Sequence, residues 1–162
     1  MNNKTMSNVK KITISAMVMA LYIVVMYFTQ SFAFGQYQIR IATALYAVPY
    51  FFPFLVLPMG VANLLSNLLM GGLGPWDAIG GLMVGILTSG CVVLIRRLKL
   101  TPWLVVIPIT LIPGLGVPIW LSYYLQLPYW ALASSLLVGQ VITAIIGGIL
   151  IKTLKKPVQH IL

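Results

Sequence analysis

Apolar residues along the chain form long runs, separated by short stretches that hold prolines, glycines and basic residues. Runs of about 20 apolar residues are typical of helices that cross a hydrocarbon core of ~30 Å. A transmembrane barrel strand would instead alternate apolar and polar residues, and these runs do not. Because backbone groups cannot stay unpaired in lipid, the pattern predicts an all-α integral membrane protein.

The pattern divides into six spans that make up a single transmembrane domain of residues 1–162. The approximate bounds of the spans are 12–29, 41–52, 55–70, 76–94, 103–123 and 129–154. The second span is short, and prolines mark its passage into the third around residues 49–58. The fifth span holds Pro108, Pro113 and Pro118, which predict a kinked or partly unwound helix.

Composition agrees with a lipid environment, because 60% of the residues are hydrophobic and only 7% are charged. The formal net charge of +9 could suggest nucleic-acid binding. With six spans, however, nine of the ten basic residues fall on one side of the membrane, and Arg40 is the exception. The positive-inside rule makes that side the cytoplasm. Both termini are expected there, the lipid bilayer is the expected surrounding, and no nucleic acid is expected as a partner.

The residues that catalysis would need are scarce. Asp77 is the only acidic residue, Cys91 the only cysteine, and His160, in the expected cytoplasmic tail, the only histidine. This inventory excludes paired carboxylates, a Ser-His-Asp triad and a metal site built from several such ligands. The chain also lacks a phosphate-binding loop with its lysine. We therefore expect neither an enzyme nor a cofactor, and active transport would draw its energy from a partner or an ion gradient.

Two charged residues near the outer surface are candidates for ligand binding. Asp77 lies near the amino end of the fourth span, where the helix dipole stabilises a negative charge. It is either a helix cap or a group that binds a ligand, and one residue can do both. Arg40 could pair with Asp77 or line the rim of a pocket, but snorkelling into lipid head groups is the simpler expectation.

Two amides on the third span are a second candidate. Asn63 and Asn67 are four residues apart, so they share one helix face, and amides are costly in lipid. They either bond neighbouring helices or form a pocket wall that reads the hydrogen-bonding edge of a flat heterocycle. In the second case Trp76, Tyr37 and Phe34 could supply a stacking surface.

Two further features lie within spans. Gln140 is in the middle of the sixth span, one turn from Thr143, and is a weaker pocket candidate than the asparagines. Ala16 and Ala20 give the first span a small-residue spacing that lets another helix approach closely. Such spacing is common in apolar helices, so its position near the start of the first span matters more than the spacing alone.

A family resemblance rests on three parts of the chain. They are the pair Ala16 and Ala20, the stretch from Gln38 to Pro53, and the segment from Asn63-Leu-Leu-Ser-Asn67 to Gly71-Gly-Leu-Gly-Pro-Trp-Asp77. In a small basic chain with six short spans, these parts resemble the QueT family. That family comprises substrate-binding S components of energy-coupling factor (ECF) transporters, proposed to import queuosine precursors of the 7-deazaguanine type. The most specific part of the resemblance is Gln38–Gly81.

The resemblance implies a division of roles in a bacterial plasma membrane. This chain would bind ligand from outside, while a membrane T component and two ATPase subunits supply the energy. Ala16 and Ala20 match the family's docking motif for those partners. A guanine-like edge would offer N–H donors to a carboxylate and both donors and acceptors to amides. The substrate-binding residues expected on this basis are Asp77, Asn63, Asn67, Trp76, Arg40, Gln38, Tyr37 and Gln140.

Two positions depart from the family pattern, in which acidic residues often occupy the places of Thr43 and Gln140. Both residues are neutral here. If those acids contact a cationic aminomethyl group, this chain is expected to prefer a different precursor or the free base.

Two other functions fit the same spans. A self-sufficient secondary transporter would use Asp77 to exchange protons for substrate, but a coupling carboxylate belongs near the midplane and Asp77 is near a helix end. A non-transporting accessory subunit would co-purify with partners and bind no ligand. Ligand binding by the isolated chain separates the second alternative from an S component.

Overall fold

The structure is a computed structural model that describes residues 6–34, 37–71 and 73–159. Helices account for nearly all of this part of the chain, and it contains no β-strand. Five helical segments are long and apolar enough to cross a membrane, and a sixth apolar helix is shorter. The prediction of an all-α membrane protein is therefore confirmed, with one of the six spans much shorter than the others. His160, expected in the tail, lies outside the described residues.

The helices follow one another across the bundle in alternating directions. The α-helices are α1 (Asn8–Phe28), α2 (Gln30–Ala33), α3 (Val56–Ser66), α4 (Pro75–Arg97), α5 (Val106–Leu125) and α6 (Tyr129–Gln159). A 3₁₀ helix, Ile41–Tyr50, forms the short span, and shorter 3₁₀ turns, Pro53–Leu55 and Pro102–Val105, lead into α3 and α5. A π-helical turn, Asn67–Gly71, ends α3.

The 3₁₀ span occupies the centre of the bundle, and most of its residues are buried. A 3₁₀ helix rises about 2.0 Å per residue, so ten residues reach about 20 Å, against about 15 Å in an α-helix. At its carboxyl end the Arg96 guanidinium donates to the carbonyls of Tyr50 and Phe51, each at 2.7 Å. These bonds satisfy carbonyls that would otherwise be unpaired at the end of the span.

Helices α3 and α4 approach each other closely at a pair of glycines. A Cβ atom added to Gly85 would lie 2.8 Å from the Cα atom of Gly60, so neither position has room for a side chain. Small residues at such a crossing bring two backbones into contact. One or two turns further along, the same contact brings the polar side chains of α3 against the first turns of α4.

Helix α5 remains α-helical from Val106 to Leu125 with Pro113 and Pro118 inside it. Of the two alternatives predicted from its prolines, partial unwinding is therefore not observed. A proline removes one backbone donor without ending a membrane helix when neighbouring helices pack around it. That packing is close here, since a Cβ atom added to Gly114 would lie 2.6 Å from a side-chain carbon of Leu137 on α6.

The two ends of the bundle differ in charge. One end, the basic face, carries all the described lysines and arginines except Arg40: Lys10, Lys11, Arg96, Arg97, Lys99, Lys152, Lys155 and Lys156. The opposite end holds Arg40 and Asp77. Helix α1 lies at the periphery of the bundle, where only Tyr22 and Met26 are buried among its residues. Most of its surface is therefore available to lipid or to a partner.

Candidate functional site

Arg40 lies inside the protein, with only 4% of its surface exposed. Its Nη1 donates to Asn67 Oδ1 at 3.1 Å and to Asn63 Oδ1 at 3.3 Å. Its Nε donates to the carbonyl of Ala33 at 3.4 Å. The expectation that Arg40 snorkels into head groups is therefore wrong. The amide oxygens of Asn63 and Asn67 accept these hydrogen bonds inside the bundle. A guanidinium on a lipid-facing surface would find acceptors only among the head groups.

An aromatic ring covers the guanidinium. The Cζ atom of Arg40 lies 4.8 Å from the ring centroid of Phe34, a distance typical of cation–π contact. Phe34 directly follows the short helix α2. Of the three aromatic residues expected to supply a stacking surface, Phe34 is the one in contact with Arg40.

The two asparagines link α3 to α4. Asn63 Nδ2 donates to the carbonyl of Gly81 at 2.8 Å, and Asn67 Nδ2 donates to the backbone carbonyl of Asp77 at 3.0 Å. Their oxygens accept from Arg40, so each amide is engaged on both sides. A Cβ atom added to Gly81 would lie 2.7 Å from Asn67 Nδ2, which explains a glycine at this place. Interhelical bonding, one of the two predicted alternatives, is present, and the amides also orient Arg40.

Asp77 is buried in the first turn of α4, with 2% of its surface exposed. Its Oδ1 accepts a hydrogen bond from the indole Nε1 of Trp120 at 2.9 Å. Its Oδ2 is buried and has no hydrogen-bond partner. The N-cap of α4 is Gly74 rather than Asp77, and no side-chain bond caps this helix. A buried unpaired acceptor costs about 1–3 kcal/mol, so this oxygen makes Asp77 a candidate for contact with a ligand.

Trp120 contacts Asp77 and is absent from the residues predicted from the sequence, because no spacing pattern links it to a residue 43 positions away. Its indole lies against Gly80 of α4, where an added Cβ would be 2.6 Å from a ring carbon. This packing holds the indole N–H against Asp77. We name the group Arg40, Asn63, Asn67, Asp77 and Trp120 the charged cluster.

A second polar group, the neutral cluster, consists of Thr43, Gln140 and Thr143. The Thr43 hydroxyl lies 3.2 Å from Gln140 Oε1 and 3.1 Å from Thr143 Oγ1, and it donates to the carbonyl of Arg40 at 2.7 Å. The Thr143 hydroxyl in turn donates to the backbone carbonyl of Gln140. The three side chains are almost entirely buried. Their hydrogen bonds join the 3₁₀ span to α6.

The segment before the 3₁₀ span is held against α6. Gln140 Nε2 donates to the carbonyl of Gln38 at 3.5 Å, and Gln38 has a left-handed backbone with φ +41°. A Cβ atom added to Gly139 would overlap the carbonyl oxygen of Tyr37. Glycine at position 139 therefore lets this segment lie close to α6, and it fixes the direction from which Arg40 reaches the interior.

Four of the expected substrate-binding residues do not join the charged cluster: Gln140 belongs to the neutral cluster, Gln38 accepts from Gln140 through its backbone carbonyl, and Tyr37 and Trp76 lie nearer the surface. Tyr37 is 50% exposed and Trp76 is 69% exposed. Trp76 lines an aromatic cleft on the outside of α4 and α5, together with Trp120 and Tyr123. Tyr37 and Trp76 remain candidates only for contact with a ligand that reaches beyond the buried cluster.

A cleft of about 400 Å³ lies next to the charged cluster, between the segment before the 3₁₀ span and the outer ends of α5 and α6. Its walls include Phe34, Gln38, Leu121 and Leu132. The residues that line this cleft include none of the charged cluster, but Phe34 connects the two, because its ring also lies over the Arg40 guanidinium. The cleft is large enough for a single fused-ring heterocycle.

A separate shallow groove runs along α1. Ala16 and Ala20 line it with Met19, Ile23 and Phe54, and both alanines are exposed. The groove lies towards the basic face, far from the charged cluster along α1. It leaves room for the close approach of another helix.

The long apolar helices define a multi-pass membrane protein, and the buried charged cluster is its candidate site for a small molecule. The chain belongs to the QueT transporter family, whose model matches residues 12–156. The family predicted from the sequence is thereby confirmed, and with it a transport role in a membrane for a small-molecule substrate. No curated protein and no solved structure matches the chain.

Proposed function

We propose that this chain is the S component of an ECF-type uptake transporter and binds a queuosine precursor of the 7-deazaguanine type. The observation that carries the proposal is the charged cluster, in which Asp77 Oδ2 is buried without a partner. A 7-deazaguanine presents ring and exocyclic N–H donors on one edge and a carbonyl acceptor beside them. A carboxylate suits the donors, and a guanidinium suits the carbonyl.

The position of Asp77 supports an external ligand rather than a structural ion pair. Arg40 donates to the two asparagines and to a backbone carbonyl, and Asp77 accepts from Trp120. Each charge is held by neutral groups, so the guanidinium and the carboxylate both keep hydrogen-bonding capacity for a third molecule. The Nη2 group of Arg40 makes none of the three bonds described for this side chain.

The second part of the proposal concerns energy coupling. The exposed groove at Ala16 and Ala20 is the proposed docking surface for the T component, which in turn binds two ATPase subunits. The charge of the basic face supports a cytoplasmic location of both termini in a bacterial plasma membrane. The charged cluster then lies near the outer surface, as uptake requires.

Ligand binding is tested on the detergent-purified chain alone, with no ATP and no partner. We expect a saturable calorimetric signal and an upward thermal shift with a 7-deazaguanine, and none with unrelated vitamins, because a ligand of the folded state stabilises it by mass action. Silence of the folded protein across a panel of 7-deazaguanines and guanine would remove this substrate class. Uptake by the chain alone in vesicles would instead favour a secondary transporter.

Docking is tested by filling the groove. Ala16→Trp and Ala20→Trp are expected to abolish co-purification of the T component and ATPases of the same organism, and with it uptake, while ligand binding by the isolated chain is retained. Met17→Trp is the matched control, because Met17 is an exposed residue of the same helix that does not line the groove. Normal assembly of both groove variants would contradict this docking surface.

A further inference from the structure

Two formal charges of opposite sign lie in the proposed site, and this chain has no second acidic side chain to add to them. Asp77 is the only acidic residue of all 162, so its carboxylate is the one negative side chain available. Arg40 and Asp77 are both bonded to Asn67. Asn67 Oδ1 accepts from Arg40, and Asn67 Nδ2 donates to the backbone carbonyl of Asp77. A bound ligand must therefore accommodate a guanidinium as well as a carboxylate.

The positions of the donors and the carbonyl on the 7-deazaguanine ring determine which side of the ligand faces Asp77 and which side faces Arg40. The N–H donors of a 7-deazaguanine lie on the edge that suits Asp77 Oδ2. Its carbonyl oxygen, which suits the Arg40 guanidinium, is adjacent to position 7 of the ring. In this orientation any substituent at position 7 lies on the Arg40 side, away from the carboxylate.

The neighbouring polar groups do not offset the charge of Arg40. The neutral cluster of Thr43, Gln140 and Thr143 carries no charge, and its two hydroxyls donate to the backbone carbonyls of Arg40 and Gln140. Phe34 already covers the guanidinium with its ring face, and its uncharged ring brings no anion to the Arg40 side. In this orientation a cationic substituent at position 7 would lie nearer the buried positive charge of Arg40 than the negative charge of Asp77.

We propose that this chain selects 7-deazaguanines with an uncharged substituent at position 7, and that Arg40 is the residue that excludes the aminomethyl cation. This inference rests on the proposed function. Two like charges about 6 Å apart in a partly buried site repel by an amount equivalent to roughly 10-fold to 100-fold in affinity. The discrimination is between ligands of the same ring and nearly the same size.

The experiment uses the purified full chain and two matched ligands, 7-hydroxymethyl-7-deazaguanine and 7-aminomethyl-7-deazaguanine, which differ at one atom and in charge. We expect calorimetry near pH 7 to give an affinity at least about tenfold higher for the hydroxymethyl compound. Equal or tighter binding of the aminomethyl compound would overturn this inference and leave the proposed function intact. Binding of neither ligand by the folded chain would overturn both.

The role of Arg40 is tested by the ratio of the two affinities rather than by either affinity alone. Arg40→Gln removes the charge and is expected to bring the ratio to within about threefold, because the repulsion is gone. Arg40→Lys retains a positive charge and is expected to keep the preference. An unchanged ratio in Arg40→Gln would remove Arg40 as the source of selectivity. If Arg40→Gln does not fold, the ligand pair on the unmodified chain still decides whether a cation is excluded.

Discussion

The charged cluster and the neutral cluster meet at the start of the 3₁₀ span but differ in how their hydrogen bonds are completed. In the neutral cluster the hydroxyls of Thr43 and Thr143 and the amide nitrogen of Gln140 all donate to carbonyls within the protein. In the charged cluster Asp77 Oδ2 has none. Buried polar groups are nearly always paired in folded proteins. In the proposed function, the neutral cluster holds the fold together and the unpaired oxygen of Asp77 contacts the ligand.

The largest effect is expected from Asp77→Asn. The replacement keeps the shape and an oxygen that can accept from Trp120, but it removes the negative charge that strengthens hydrogen bonds from ligand donors. We expect ligand affinity to fall about 100-fold or more, since charged hydrogen bonds contribute about 1.5–3 kcal/mol each. Calorimetry measures the affinity, and thermal unfolding without ligand checks the fold. Unchanged affinity in the folded variant would remove Asp77 from the site.

A smaller effect is expected from Trp120→Phe, which deletes the indole N–H that holds Asp77 Oδ1. We expect about a tenfold loss of affinity, because the carboxylate loses one positioning hydrogen bond. Gly80→Ala should act in the same direction by displacing the indole from its contact. Trp130→Phe is the control, since Trp130 is exposed. A wild-type affinity in both Trp120→Phe and Gly80→Ala would show that this contact does not position Asp77.

A substitution in the neutral cluster is expected to lower stability and to leave ligand affinity nearly unchanged. Thr143→Val replaces a buried hydroxyl by a methyl group of similar size and leaves Thr43 and Gln140 with fewer partners. We expect a loss of about 1–2 kcal/mol in stability, seen as a lower unfolding temperature, with ligand affinity within about twofold of the original. A large loss of affinity at unchanged stability would place the neutral cluster in the ligand site and end the distinction between the two clusters.

The fold was largely predictable, because a helix that crosses a lipid bilayer needs about 20 predominantly apolar residues. Long apolar runs predicted the membrane helices, and the prolines around residues 49–58 predicted a short second span. The pattern could not indicate that this span is a 3₁₀ helix, since hydropathy sets the length of an apolar run and not its rise per residue. The same limit applies to the π-helical turn that ends α3.

The sequence predicted the residues of the candidate site better than it predicted their arrangement. Asp77 and the two asparagines were identified because polar side chains are costly in apolar spans and therefore usually have a structural or functional role. The burial of Arg40 was not predicted, because its acceptors Asn63 and Asn67 are 23 and 27 residues away along the chain. The contact of Trp120 with Asp77 crosses 43 residues. Hydropathy and helical spacing report only on near neighbours, so such pairs require the fold.

The most direct test of the account is a structure of the chain with a bound 7-deazaguanine. We predict ring N–H groups of the ligand at hydrogen-bonding distance from Asp77 Oδ2, with the ligand carbonyl next to the Arg40 guanidinium and the ring near Phe34. A ligand held instead in the outer aromatic cleft at Trp76, with Asp77 Oδ2 still unpaired, would contradict the central claim that the charged cluster is the binding site.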